Sequence, residues 1–217
     1  MLEPVERIEP ARLEVLPPEI ADLAAEISAA AAVLDRALHP KTAAHLADLV
    51  RIMNSYYSNL LEGHNTRPRE IERALTGRFD GQASEDRDLH EEAAAHVRVQ
   101  AEIDHLAATS MLGEPTPVAF IRFLHERFYL DAPAAMLEIE RGGRTRRMVP
   151  GAFRSDRDDE VSVGRHLPPS SHRVDAFMRH FERRYRFDEL GRAGRIAAIA
   201  AAHHRLNYIH PFPDGNE

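Results

Sequence analysis

A chain of 217 residues with 43% apolar and 29% charged residues can bury a substantial core, and this composition argues against disorder of the whole. Its formal net charge of −7, with basic residues interspersed among acidic ones, makes nucleic acid a poor partner. Without cysteine there is no disulfide framework or thiolate chemistry; with no signal-peptide layout and no apolar run of bilayer length, a soluble cytoplasmic protein with no membrane partner is expected.

Residues 1–18 carry Pro4, Pro10, Pro17 and Pro18 among charges and read as an extended N-terminal arm. From Glu19 to Leu38, Ile20, Leu23, Ala24, Ile27, Ala31, Leu34 and Leu38 recur at helical spacing, and Pro40 ends that helix. A second helix is expected after Thr42, with Leu46, Leu49, Val50, Met53, Tyr57 and Leu60 or Leu61 facing inward and Gly63 as its left-handed stop. Thr66 is the expected N-cap of a third, with Pro68 in the first turn and Ile71, Ala74 and Leu75 inward.

Gly77 to Asp88 reads as an exposed loop, followed by a fourth helix from Leu89 to Ala108 with Ala93, Val97, Gln100, Ile103 or Asp104, and Ala107 inward. Thr116-Pro117 is the expected cap of a fifth, in which Phe120, Phe123, Leu124, Arg127 and Phe128 are suitably spaced. Five helices and no convincing strand place the first 130 residues in an all-α architecture.

Between Arg141 and Pro169, Gly142-Gly143, Pro150-Gly151 and Gly164 punctuate β-prone pieces at Met148-Val149 and Val161–Val163, which predicts a small hairpin. A sixth helix follows from Ser171 to Phe187, with Val174, Phe177, Met178, Phe181 and Tyr185 inward. The seventh, Ala193 to Tyr208, is apolar on all sides through Ile196–Ala202 and is expected at the middle of a bundle. His203 and His204 lack metal-ligand spacing and read as packing histidines, and Arg183–Arg186 as a solvated face.

The loop after that helix, His210-Pro211-Phe212-Pro213-Asp214-Gly215-Asn216, resembles the signature of the Fic family, HPFx(D/E)GNGR followed by a second Arg. Two more segments fit the same family. Pro150–Arg154, Val161–His166 and Pro168-Pro169 resemble its flap region, and Ser58-Asn59-Leu60-Leu61-Glu62-Gly63 resembles its inhibitory motif, (S/T)xxxE(G/N). The resemblance implies a Fic-like helical bundle with a small β-hairpin flap. It divides the chain into the arm at 1–18, an N-terminal helical region at 19–110 with the inhibitory helix at about 43–63, and a Fic core at 111–217, incomplete at its C-terminal end.

The function implied is protein adenylylation: AMP moves from ATP to a Ser, Thr or Tyr hydroxyl of a target protein, the chain itself being one candidate, and pyrophosphate leaves. A near-neutral imidazole suits removal of the hydroxyl proton, which makes His210 the candidate general base. Asp214 would hold Mg²⁺, Gly215 would let backbone N–H groups approach the phosphates, and the Asn216 amide would donate to the α-phosphate. Phe212 would anchor the loop in the core. Ser58, Glu62 and Gly63 would be inhibitory, Glu62 taking the place of the γ-phosphate by pairing with the second Arg. Val161, Ser162, Val163 and Gly164 would dock the target by strand pairing.

Where the family has Gly, this chain has Glu217, and both arginines fall outside the sequence. The expectation is therefore a fragment of a longer protein, inactive as it stands. A degenerate, non-catalytic helical interaction module is the alternative, as is a family enzyme that transfers another group or removes AMP. The oligomeric state stays open, a homodimer included.

Overall fold

The computed structural model describes residues 3–9, 15–61, 63–78, 84–141, 143–155, 160–188 and 190–216. Glu62 and Glu217 lie outside the described residues. Among the described residues the fold is all-α, with a single two-stranded sheet. The helices are α1 (Pro18–Ala37), α2 (Pro40–Leu61), α3 (Pro68–Leu75), α4 (Ser84–Ala108), α5 (Val118–Phe128), α6 (Val174–Arg184) and α7 (Arg192–Ile209). No helix among them is long and apolar enough to cross a membrane.

The chain packs as two compact units. The first draws on residues 1–37, 114–125 and 139–217, the second on 38–113 and 126–138.

The first unit is built on α6. Val174, Phe177, Met178 and Phe181 recur at three- and four-residue intervals, and with Tyr185 they are buried as the periodicity predicts. Ile121, Phe153, Ile209 and Phe212 close over them. Prolines suggested an extended arm at the N-terminus, yet Val5–Ile8 forms a 3₁₀ turn with Ile8 fully buried in this core. Charge holds it there. Glu9 accepts from Arg184 Nε at 2.8 Å and pairs with His180 at 3.0 Å, and Glu3 accepts from the Ser170 N–H at 2.9 Å.

Helix α1 packs against α7. The apolar circumference of α7 predicted a fully buried element, but only Ala198, Ala202 and Ile209 are buried, and Ile199 is 57% exposed. The physical reason is size. Alanines bury little area per turn, so an apolar surface of alanines carries a weak drive toward the interior.

On α5 the buried residues are Ile121 and His125, one turn apart, rather than the predicted Phe120, Phe123 and Leu124. Phe120 and Phe123 instead stack on each other at 6.0 Å. Thr116 does not cap this helix: the Pro117 carbonyl accepts its first backbone bonds, and the buried Thr116 hydroxyl has no partner among the described residues.

The hairpin lies earlier than the β-prone pieces suggested. Strands β1 (Glu138–Arg141) and β2 (Arg144–Arg147) form the hairpin, and Gly143, with φ +73°, leads into β2. Met148-Val149 falls outside the strands. In the later piece, Val163 and His166 form an isolated antiparallel bridge around Gly164, whose φ is +58°.

In the second unit α4 packs on both α2 and α3. The core is Ile52, Ile71, Ala93 and Val97, and the Ser55 hydroxyl donates to the Ala93 carbonyl at 2.9 Å. The buried stripe of α2 is thus Ile52, Ser55 and Asn59, not the predicted Leu46, Leu49, Val50, Tyr57 and Leu60, which are exposed. Small polar residues let neighbouring backbone approach and satisfy one another, which hydrophobic periodicity alone does not reveal. The helix begins at Pro40, with proline as its first residue, rather than after Thr42. Gly63 has φ +90°, as expected of a left-handed stop.

Arg67, not Thr66, caps α3: its N–H donates to the Glu70 carboxylate at 2.7 Å, while the Thr66 hydroxyl accepts from Asn59. Leu75, predicted inward, is 36% exposed. Helix α4 starts at Ser84, so the predicted 77–88 loop is shorter, and Ala107 is exposed.

Candidate active site

A helix ends with carbonyls that lack intrahelical donors, and where such an end is buried other groups must supply them. At the C-terminus of α7 that need is met by side chains from distant segments. The fully buried Arg154 donates from Nε to the His210 carbonyl at 2.7 Å and from an Nη to the Ile209 carbonyl at 3.0 Å. Its guanidinium also reaches the Pro169 carbonyl at 2.5 Å and the Ser171 hydroxyl at 3.0 Å, and its backbone N–H donates to Pro211 at 2.9 Å. The Glu160 carboxylate lies 3.7 Å from the guanidinium, which keeps the buried charge paired. His166 approaches the Tyr208 carbonyl with Nε2 at 2.9 Å. The end of α7 is therefore fixed by the segment between β2 and α6.

His210 is the C-terminal cap of α7, with φ 49° and ψ 64°, and its N–H donates to the Leu206 carbonyl at 2.9 Å. This left-handed conformation is uncommon for a residue with a side chain, and it turns the chain sharply out of the helix. The half-buried imidazole stands at the start of the turn that carries Asp214, Gly215 and Asn216.

Phe212 is 4% exposed. Its ring lies 5.0 Å from Phe153, over whose face the Arg122 guanidinium sits at 4.4 Å. On another side it stacks on the His125 imidazole, centroids 3.8 Å apart.

The turn after Phe212 is closed by two side chains. Asn216 makes paired bonds to one residue: its Oδ1 accepts from the Phe212 N–H at 2.7 Å and its Nδ2 donates to the Phe212 carbonyl at 3.0 Å. His125 accepts the Gly151 N–H on Nδ1 at 2.9 Å and lies 3.0 Å from the Asp214 carbonyl with Nε2. Burial holds the His125 imidazole below its usual pKa, against the opposing pull of the Asp214 carbonyl and carboxylate. A neutral ring that accepts on Nδ1 must carry its proton on Nε2, so Nε2–H donates to Asp214. Gly215 follows with φ +64°, a conformation that favours glycine.

Asp214 and Gly215 are exposed, and the arrangement presents a carboxylate and a glycine backbone on a turn braced from beneath. One carboxylate suits magnesium, which keeps most of its shell as water and phosphate oxygens. The remaining predicted positions are separate elements. Val161 is half-buried, while Ser162, Val163 and Gly164 are exposed around the Val163–His166 bridge. Ser58 is half-buried on α2 and Gly63 exposed just after it, both in the second unit.

Neither His125 nor the bracing role of Arg154 was singled out in the sequence. A signal existed for His125: it follows Ile121 by four residues on an apolar face, where an imidazole must find partners. The paired use of Asn216 had none, since its partner is a backbone four residues away.

Residues 119–217 match the Fic/DOC family. The chain is 37% identical over 60 residues to the protein adenylyltransferase Fic of Drosophila erecta, and equally to that of Drosophila melanogaster; each match covers 28% of this chain and 12% of the relative. A Fic family protein of Desulfovibrio desulfuricans G20 shares the fold, with a TM-score of 0.62 at 15% identity over 93% of this chain and 55% of that one. The chain thus spans little of the curated relatives and about half of the structural one. From the first turn of α5 to the turn that follows α7, the chain is similar to the Fic/DOC family and carries the match to it.

Proposed function

We propose that the protein from which this chain comes is a protein adenylyltransferase, moving AMP from ATP to a hydroxyl side chain of a target protein. The observation that carries the reading is the turn itself: His210, Asp214 and Gly215 stand on one short segment whose backbone is pinned by Arg154, His125 and Asn216. Preorganisation of this kind is what phosphoryl chemistry draws on, because positioning and electrostatic stabilisation supply most of the rate.

In this reading His210 takes the proton of the target Ser, Thr or Tyr hydroxyl as its oxygen attacks the α-phosphorus. The bond from that phosphorus to the bridging oxygen breaks, and pyrophosphate departs. Gly215 admits backbone N–H groups to the phosphates, and Asn216, whose amide holds the turn closed, orients them. Asp214 would bind Mg²⁺, which neutralises charge on the phosphate oxygens when bound. The segment Val161–Gly164 would dock the target by strand pairing, and since the Val163 N–H and carbonyl are bonded to His166, that pairing would fall to the backbone on either side of Val163. Glu62 restrains the reaction by occupying the γ-phosphate position, and a cytoplasmic setting supplies the ATP.

The test is transfer of label. The full product of the encoding gene, carrying Glu62→Gly, should label protein when incubated with α-labelled ATP and Mg²⁺, and adding His210→Ala should abolish it. Absence of labelling from the Glu62→Gly form would overturn the reading.

A further inference from the structure

The buried imidazole of His125 is not one of the reacting groups, yet it touches the turn at two levels. Its face stacks on Phe212 at 3.8 Å with an interplanar angle of 23°, and its Nε2–H donates to the carbonyl of Asp214 at 3.0 Å. Its other nitrogen accepts the N–H of Gly151 at 2.9 Å, where Gly151 has φ +76°. The ring is thereby held by α5 and by the segment after β2, and it passes that constraint to one peptide of the phosphate-facing turn.

We propose that His125 is a positioning residue that sets the orientation of the Asp214–Gly215 peptide through its Nε2–H tautomer. A carbonyl pinned inward turns the N–H of the same peptide, that of Gly215, away from the core and toward the face where Asp214 is exposed. Gly151 fixes the tautomer: by donating to Nδ1 it leaves Nε2 to carry the hydrogen. Phe212 fixes the plane of the ring, so that the donor points along the Asp214 carbonyl. A phenyl ring in place of the imidazole would keep the stack and release the peptide.

Substitutions separate the two ends. His125→Gln keeps a donor near the position of Nε2, His125→Asn keeps an acceptor near Nδ1 without the donor, and His125→Phe keeps only the stack. Two readouts come from NMR. Long-range proton–nitrogen NMR of the chain at neutral pH should show Nε2 protonated and Nδ1 as the bare acceptor. The backbone amide resonances of Asp214–Asn216 should stay near wild type in His125→Gln and shift in His125→Asn and His125→Phe.

A third readout, labelling, rests on the adenylyl-transfer reading. In the Glu62→Gly form of the full gene product, His125→Asn and His125→Phe should slow labelling by about 10- to 100-fold, as losses of positioning groups do, with folding intact by circular dichroism. His125→Gln should restore most of that loss. A proton on Nδ1, or His125→Asn matching wild type in both shifts and labelling, would overturn the proposal. Should the Glu62→Gly parent fail to label, the adenylyl-transfer reading falls, while the NMR arm still decides the role of His125.

Discussion

His125 lies almost parallel to Phe212, ring centroids 3.8 Å apart, so an aromatic core residue of the turn rests on an imidazole instead of another hydrocarbon. Phe212 also meets Phe153, and together these contacts make it the turn's link to the core. Phe212→Ala should cost about 3–5 kcal/mol, the usual range for emptying a buried aromatic site. Phe212→Leu, which refills part of the volume, should cost less than half of that. Urea unfolding of the three proteins at one pH checks both figures.

Arg154 gives the second prediction. Its guanidinium serves the carbonyls of Pro169, Ile209 and His210 and the Ser171 hydroxyl. Removing it leaves buried acceptors unpaired, which costs far more than the bonds contributed net. Arg154→Ala should destabilise by about 3–5 kcal/mol. Arg154→Lys should recover little, because a single ammonium cannot reproduce the planar fork. Denaturation midpoints of wild type, Arg154→Lys and Arg154→Ala should therefore place lysine closer to alanine than to arginine.

His210 occupies a left-handed conformation that suits glycine better than any residue with a Cβ. His210→Gly and His210→Ala both delete the imidazole, so both should lack transfer activity. They should differ in stability, glycine being the more stable by about 1 kcal/mol even though it is the more flexible residue when unfolded. Thermal melts of the pair report the difference directly. Alanine equal to or more stable than glycine would show that the cap is not strained.

Tyr185 is fully buried, and desolvation pushes its phenol pKa up to about 12. A group whose pKa is raised on folding contributes stability that is complete below its unfolded value near 10 and is lost as the pH climbs toward the folded value. The neutral phenol is the form the core accepts. Between about pH 10 and 12 the wild type should lose on the order of 1–2 kcal/mol more than Tyr185→Phe, which has nothing to ionise at that site. Melting temperatures of the two proteins, followed from pH 8 to 12, should diverge only in the alkaline limb.

Much of this fold was legible because large apolar residues fall at regular intervals. On α6 the spacing of Val174, Phe177, Met178, Phe181 and Tyr185 named every buried position. Where the interior is made of small or polar groups, periodicity pointed the wrong way. The buried stripe of α2 uses Ser55 and Asn59, and the exposed stripe carries the leucines. The signature turn was visible as a string of residue types, but its supports were not. Arg154 and His125 act on backbone carbonyls 56 and 89 residues away, and no local pattern encodes such a partner.

The anchoring of residues 3–9 carries a consequence for biosynthesis. Glu3 and Glu9 find their partners at Ser170, Arg173, His180 and Arg184, separations of 167 to 175 positions. On the ribosome this segment emerges well before α6 and must wait, with Ile8 uncovered, until α6 has been translated. Ordered closure of so long a span is slow, and the exposed interval is one in which a chaperone would find something to hold.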